Sequence, residues 1–334
     1  MEFSMTPDIT ILIPAYNVAP YLGKTLHSAL VQQGVDHEIV VVEDGSTDGT
    51  AAVIDAFRNE QRIHVIRQAN TGPSGARNTG LAIARGRYVG FLDGDDLWEP
   101  EKAARHVQVM DADPSLDMTY SWWRIIDDKG QPTGRENRTK KSELPAGLGF
   151  EGLLIQNFTG TSSTVVCRRD ALAAVGGFDD ALRANVDLDL WLRITARRPN
   201  AIGLVPEVLT SYRMHGNQIT SDWRRMEGNW EKVIEKARRM APDRVARVES
   251  LARAQLSRYL AYLAYESGDH TAARRLIVAA WTKAPTALIS DRRSWLTTAA
   301  IGTTFLPPAW HDGLASAARR WRARTLSKRP ESAH

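Results

Sequence analysis

The chain has 334 residues, 43% of them apolar and 25% charged, an ordinary globular composition that excludes disorder, collagen and coiled coil for its bulk. Net charge is +4 but uneven: residues 216–334 carry 21 Lys+Arg and 11 Asp+Glu, while residues 1–215 carry 22 and 28, so an acidic front suits cations and a basic back suits an anionic partner. The one cysteine, Cys167, excludes an intrachain disulfide and a cysteine-based zinc cluster and fits a reducing, cytoplasmic setting.

The first hundred residues alternate strand and helix. Ile9 to Pro14 is a short β-branched apolar run, the pattern of a strand buried on both faces of a parallel sheet. The spacing of Leu22, Leu26 and Leu30 predicts a helix over 21–32. Glu38 to Val42 is a second buried strand, and Thr50 to Phe57 a helix capped by Thr47 or Asp48. Ile63 to Ile66 is a third strand, Ser74 to Ala84 a helix, Tyr88 to Leu92 a fourth strand and Glu99 to Met110 a helix. This order predicts a doubly wound α/β layer whose ligands gather at the C-terminal strand ends.

The middle of the chain is less regular. Met118 to Ile126 reads as a strand, Asp128 to Gly130 as a turn, and Arg135 to Glu143 as a polar loop. Thr161 to Cys167 reads as a strand, and Arg169 to Val175 as a helix stopped by Gly176 and Gly177. Asp187 to Ala196 is a helix and Gly203 to Tyr212 extended chain. Beyond a boundary near 216–225, three amphipathic helices follow: Glu227 to Arg239, Arg244 to Glu266 and His270 to Lys283. No stretch reads as a membrane span: Ser294 to Trp310 is shorter than the ~20 apolar residues required. Met1 to Asp8 lacks the basic and apolar parts of a signal peptide.

Four polar clusters sit at the expected strand ends. Pro14-Ala15-Tyr16-Asn17 follows the first strand, and Glu43-Asp44-Gly45-Ser46-Thr47-Asp48 the second. A tight acidic turn can accept hydrogen bonds from a base or ribose, and Tyr16 can stack on a ring; each alone is also an ordinary turn. Gly72 to Asn78 (GPSGARN) is a glycine-rich loop opening a helix, which offers free N–H groups to phosphate, with Arg77 in the first turn to add a charge-assisted contact. It has neither the P-loop nor the dinucleotide-binding glycine spacing. Asp93-Gly94-Asp95-Asp96 crowds three carboxylates together, which is costly without compensation. A divalent cation is the natural compensation, and Mg²⁺ or Mn²⁺ leaves room for substrate phosphates.

The set PAYN, EDGSTD, GPSGARNTG and FLDGDDLW, in this order and spacing, resembles glycosyltransferase family 2 over about residues 8–217. Gly176 to Asp179, Asp187 to Arg193, and Tyr212 to Asn217 extend the likeness. It implies a GT-A fold: a doubly wound, mostly parallel sheet flanked by helices over residues 1–217, with 8–112 the nucleotide-sugar and metal half and 113–217 the acceptor half. Residues 218–334 form a helical, basic C-terminal appendage.

The activity implied is metal-dependent inverting transfer of a sugar from a nucleotide-diphosphate donor, a UDP-sugar being favoured. The acceptor is a hydroxyl of a glycan or lipid-linked molecule in polysaccharide or glycoconjugate assembly. Asp187 falls on the family's catalytic base, with Asp189 as second choice; Asp189 is equally placed to pair with Arg193 at i,i+4. The family's Glu before that base is Val186 here. Asp95 and Asp93 are the implied ligands of Mn²⁺ or Mg²⁺. The implied donor site comprises Pro14, Ala15, Tyr16, Asn17, Glu43, Asp44, Ser46, Gly75, Arg77, Asn78, Asp93, Gly94 and His215, with Tyr16 stacking on the base, Asp44 bonding it, and Arg77 and His215 at the diphosphate.

Other features stay open. Trp122 and Trp123 line an acceptor site or simply pack, while Trp191 and Cys167 read as core. The tail from Arg319 to Arg329, with Trp310, Leu314 and Trp321 nearby, suits peripheral contact with an anionic membrane at its inner face. A solvated tail or a homodimer contact is the other reading. No nucleic-acid module is present. The rivals for function are a catalytically silent nucleotide-sugar binder and a sugar-phosphate nucleotidyltransferase. The latter needs a Gly-rich, basic loop where PAYN stands.

Overall fold

The computed structural model describes residues 6–306 apart from 145, 199, 217–221 and 290. The first four strands are β1 (Ile9–Ala15), β2 (His37–Glu43), β3 (Ile63–Arg67) and β4 (Tyr88–Phe91). They are parallel, in the order β3-β2-β1-β4, joined through helices α1 (Ala19–Leu30), α2 (Thr50–Asp55) and α3 (Gly72–Ile83). β1 lies between two neighbours, which is why its sequence is apolar on both faces. Ile11 and Ile13 pack against Leu22 and Leu26 of α1 on one side, and Leu12 faces the opposite cluster.

A short strand β5 (Leu97–Trp98) and helix α4 (Lys102–Ala112) follow, then β6 (Met118–Ile126) and β7 (Pro132–Asn137). Where a polar loop was expected from Arg135, the chain first pairs back on β6: a turn at Gly130, φ 87°, lets the exposed β7 form an antiparallel edge. Helix α5 (Phe150–Ile155) is an addition, being too short to show a period in sequence. Thr161 to Cys167 is not one strand. Ser162–Thr164 is a 3₁₀ turn, because Thr164 Oγ1 donates to the Thr159 and Thr161 carbonyls, and only β8 (Val165–Arg168) is extended.

After α6 (Arg169–Ala174) come α7 (Val186–Arg197) and β9 (Ile202–Arg213). The full sheet order is β3-β2-β1-β4-β8-β6-β9-β5, with β7 on β6, so a parallel N-terminal half continues into a mixed second half. Phe91, Tyr120, Phe150, Leu153, Leu190 and Trp191 fill the core beneath α5 and α7, as expected for Trp191; Cys167 is buried there too.

The C-terminal helices are α8 (Trp223–Met240), α9 (Pro242–Glu266), α10 (His270–Lys283), α11 (Pro285–Ile289) and α12 (Arg292–Gly302). α12 occupies much of the uncharged stretch from Ser294. Trp230, Val233 and Ile234 of α8 enter the same core as Trp191, while Leu260, Ala264, Ala273 and Leu276 pair α9 with α10 separately. The expected boundary at 217/218 and the basic tail from Arg319 lie outside the described residues.

Candidate active site

The parallel register sets the first motifs side by side. Ala15 of β1 stands opposite Glu43 of β2, and Leu12 opposite Phe91 of β4, so PAYN, EDGSTD and DGDD leave one edge of the sheet together. Tyr16 projects into solvent at 47% exposure. Asn17 takes a left-handed φ of 52°, and its Oδ1 accepts from the Thr47 N–H at 2.8 Å, while its own N–H donates to Ser46 Oγ at 3.2 Å. The two loops are thereby stitched together.

Glu43 Oε1 accepts from the Ser46 N–H at 2.6 Å. Asp44 is buried, and its carboxylate accepts from Gln68 Nε2 (2.7 Å), the Thr71 N–H (2.9 Å), the Thr71 hydroxyl (3.2 Å) and the Gly72 N–H (2.9 Å). Asp44 thereby orders the loop that opens α3, with Oδ1 taking three of those bonds and Oδ2 one, which leaves acceptor capacity on Oδ2. Gly72 has φ +83°, and a Cβ there would meet Arg183 Nη1 at 2.6 Å. Arg183 donates to the Thr71 carbonyl at 3.3 Å, which brings a cation to this loop that sequence reading did not single out.

Arg77 is buried near the start of α3. Its Nη2 donates to Asp93 Oδ1 at 2.5 Å and to Ser162 Oγ at 3.3 Å, and Nη1 to the Pro73 carbonyl at 3.2 Å. Gly75 lies so close to the Thr71 side chain that a Cβ would overlap it. Asn78 faces elsewhere: its amide donates to the Phe178 carbonyl and Asp180 and accepts from the Phe178 N–H, joining α3 to the Gly-Gly-Phe-Asp turn. That engagement ties Asn78 into the scaffold behind the loop.

Within DGDD the three carboxylates part company. Asp93 is held by Arg77 and by Ser162 Oγ, 3.1 Å from each of its oxygens. Gly94 passes close to the Pro14 carbonyl, where a Cβ would stand at 3.1 Å. Asp96 is fully buried and accepts from the Arg213 N–H at 2.9 Å; burial, then the charges of Asp95 and Asp93, push its carboxyl well above the usual range. Asp95 Oδ2 meets His215 Nε2 at 2.9 Å, and Tyr21 stacks on that imidazole at 4.8 Å.

An oxygen and a nitrogen donor, both partly accessible, fit a divalent cation whose other ligands come from a diphosphate and water. Asp93, engaged by a guanidinium, fits that role less well than Asp95. Among the described residues no three metal-binding groups converge into a closed cage. Arg213, buried, braces the turn from behind: Nε donates to the Asp95 carbonyl at 2.7 Å, and Nη1 to the Asp127 carbonyl at 3.1 Å.

α7 delivers the last carboxylates. It starts after Asn185 at φ 54°, placing Asp187 and Asp189 in its first turn. Asp187 Oδ1 accepts from the Leu188 N–H at 2.8 Å and Oδ2 from Asn157 Nδ2 at 3.3 Å. Burial raises its carboxyl above the ordinary value, opposed by the Leu188 N–H, Arg77 and Asn157. Asp189 is 1% exposed and pairs with Arg193 at 2.8 Å and Lys236 of α8 at 2.5 Å. The i,i+4 pairing weighed for Asp189 is therefore present, and a second cation from α8 adds to it. Val186 is buried in the core.

The family model described as glycosyl transferase family 2 matches residues 10–176. TuaG of Bacillus subtilis, a glycosyltransferase named for teichuronic acid biosynthesis, is 30% identical over 67% of this chain and 86% of its own. An uncharacterised glycosyltransferase of Nostoc sp. is 33% identical over 76% and 80%.

The chain belongs to glycosyl transferase family 2. As a family 2 glycosyltransferase it is an enzyme of sugar transfer. Its fold is that of TarS 1–349 from S. aureus, solved with UDP (TM-score 0.58, 19% identity, 81% of this chain and 80% of that one). It is also that of the mannosyltransferase PcManGT from Pyrobaculum calidifontis, solved with GDP-Man and Mn²⁺ (TM-score 0.57, 19% identity, 96% and 87%). Both support the GT-A architecture expected of this family 2 chain. No helix among its described residues is long and apolar enough to cross a membrane.

Proposed function

We propose that this glycosyltransferase moves a sugar from a nucleoside diphosphate donor, a UDP-sugar being favoured, to a hydroxyl of a glycan or lipid-linked acceptor, with inversion at the anomeric carbon and with Mn²⁺ or Mg²⁺ as cofactor. The observation that carries the reading is the opposition of two kinds of group. Asp95 meets His215, and Arg77 meets Asp93, in the turn after β4, a cationic and carboxylate cluster that suits a diphosphate with its cation, and the partly buried Asp187 feels the Arg77 and Asp93 charges.

Asp95 and His215 would hold the cation, which when bound neutralises charge developing on the leaving diphosphate. Arg77 offers a fixed guanidinium beside the same oxygens, already oriented by Asp93, so little reorganisation is required. Tyr16, exposed at the end of β1, offers a stacking face for the base. Asp187 takes the proton of the incoming hydroxyl; its raised affinity for a proton suits it to that task better than an ordinary surface carboxylate. A single displacement needs one base and no covalent nucleophile. The buried Cys167 thiol, pushed up by burial, is unsuited to be one.

Polysaccharide or glycoconjugate assembly is supported by relatives named for teichuronic acid, succinoglycan and chondroitin synthesis. Exposed Trp295, Leu296 and Phe305 on the C-terminal helices add apolar surface to the basic end of the chain, consistent with peripheral membrane contact. Co-sedimentation with anionic vesicles tests that contact, and sedimentation velocity tests a homodimer.

The deciding experiment is calorimetry with UDP, GDP, dTDP and CDP, each with Mn²⁺ and with EDTA. Mn²⁺-dependent binding of one diphosphate supports the site and names the donor class. No binding by the folded protein favours a silent homologue.

A further inference from the structure

Residues 156–164, between α5 and β8, carry polar chemistry that the proposed function leaves unused. Five hydroxyl residues, Thr159, Thr161, Ser162, Ser163 and Thr164, are each 8% exposed or less. Thr164 Oγ1 closes the segment on the carbonyls of Thr159 (2.8 Å) and Thr161 (3.0 Å). Gly160 turns it at φ +79°, where a Cβ would press on the Trp123 ring at 2.7 Å. From beneath, the fully buried Lys102 donates from Nζ to the Thr164 carbonyl at 3.0 Å.

The two ends of this segment reach two different carboxylates. At one end Asn157 Nδ2 donates to Asp187 Oδ2 at 3.3 Å, and the Thr159 hydroxyl donates to Asn157 Oδ1 at 2.7 Å. An ionised carboxylate only accepts, so the amide must present its nitrogen to Asp187, and Thr159 holds it that way. At the other end Ser162 Oγ contacts both Asp93 oxygens, and Ser163 Oγ accepts from the Asp93 N–H at 3.0 Å.

We propose that this segment is a clasp that fixes the base relative to the donor side, with Asn157 the positioning residue for Asp187 and Thr159 the residue that orients Asn157. The inference rests on the reading of Asp187 as the base. The charged groups acting on Asp187 from other elements are Arg77 of α3 and Asp93 after β4. On its own helix, Asp189 is bound by Arg193 and by Lys236 of α8. Removing the Asn157 amide takes away a donor that favours the ionised form. Asp187 then holds its proton to higher pH, and as only its ionised form accepts a proton, the acid limb of activity moves the same way.

The test is a carbon-13 NMR titration of carboxyl-labelled aspartates in the full chain, with the Asp187 signal assigned by its loss in Asp187→Asn. In Asn157→Ala the Asp187 midpoint moves to higher pH, while Mn²⁺-dependent UDP affinity stays at the wild-type value. Thr159→Val, which is isosteric, moves it in the same direction and covers the case in which Asn157→Ala fails to fold. A midpoint unmoved in the folded variants overturns the clasp. Full sugar transfer by Asp187→Asn overturns the base assignment instead, so the two failures are distinct.

Discussion

His215 Nε2 stands 2.9 Å from Asp95 Oδ2, although 120 residues separate the two in the chain. β9 makes the meeting possible: it runs beside β6, and Arg213 at its end is bonded through its N–H to Asp96 and through Nε to the Asp95 carbonyl. His215, two residues on, is thereby carried to the DGDD turn. His215→Ala and Asp95→Asn should each weaken Mn²⁺-dependent UDP binding by about 10–100-fold, the scale expected when a metal site loses a supporting group. Calorimetry with an EDTA control reads this. Full Mn²⁺-dependent affinity in both variants rules out the pair as the metal site.

Asp187→Asn keeps size and burial but cannot take a proton. Transfer should fall by about 10²–10⁴-fold, the usual worth of a general base, with UDP affinity unchanged. Single-turnover assays beside calorimetry separate the two quantities. A matched loss of affinity would show that Asp187 shapes the donor site instead.

Asp189 should behave in the opposite way. Its carboxylate is buried against Arg193 and Lys236, so Asp189→Asn takes the ion-pair partner from Arg193 and leaves Lys236 with Asp179 alone, and should cost about 1–3 kcal/mol of stability. Lys236→Met should destabilise in the same direction. Chemical denaturation measures both, and UDP affinity in the folded protein should not change. A fully stable Asp189→Asn that has lost transfer would make Asp189 the base.

Glu151 on α5 accepts from Arg244 Nε at 2.8 Å and Nη2 at 2.6 Å, and from Arg247 at 3.2 Å, fastening α9 to the transferase core. The Arg244 bonds hold its carboxyl down at about 2, below the ordinary 4.5. A folded-state value below the unfolded one gives stability that is complete above about pH 4.5 and is lost as pH falls from there towards 2. Solvent reaches this pair, so its worth is about 1–2 kcal/mol. Glu151→Gln should lower the melting temperature at pH 7, with a deficit that shrinks steadily as pH falls from about 4.5 towards 2. A deficit that persists undiminished at pH 2.5 would show that packing, not charge, is lost.

Much of the fold was legible because its causes are local. The apolar run Ile9 to Pro14 can be satisfied only inside a parallel sheet, and Asp269, accepting from the Ala272 N–H, starts α10 at the His270 expected from its pattern. α5 and β5 were not legible, since six and two residues are too few to display a period. The polar edge strand β7 was hidden for another reason: it buries almost nothing, so no alternation marks it. The hydroxyl-rich turn at Ser162 reads as strand in the sequence because Thr and Val share the same propensity. Only the local carbonyls tell them apart.

The sequence alone determined which chemistry this protein can carry. Carboxylates, a guanidinium and glycines follow successive strands, and the ends of parallel strands must share one edge. The tertiary structure decided which of those groups remain available. Asp44 and Asn78 are engaged by Thr71, Gly72 and Phe178, Asp93 is held by Arg77, and Asp189 is paired with Arg193 and with Lys236 of the distant helix α8. Asp95 and Asp187 are left least committed, and Asn157 is brought to Asp187 by a loop with no motif. A residue's type is fixed by covalent chemistry. Whether its lone pairs are already taken depends on which distant donors the fold sets within 3 Å of it, and that cannot be read from its neighbours in the chain.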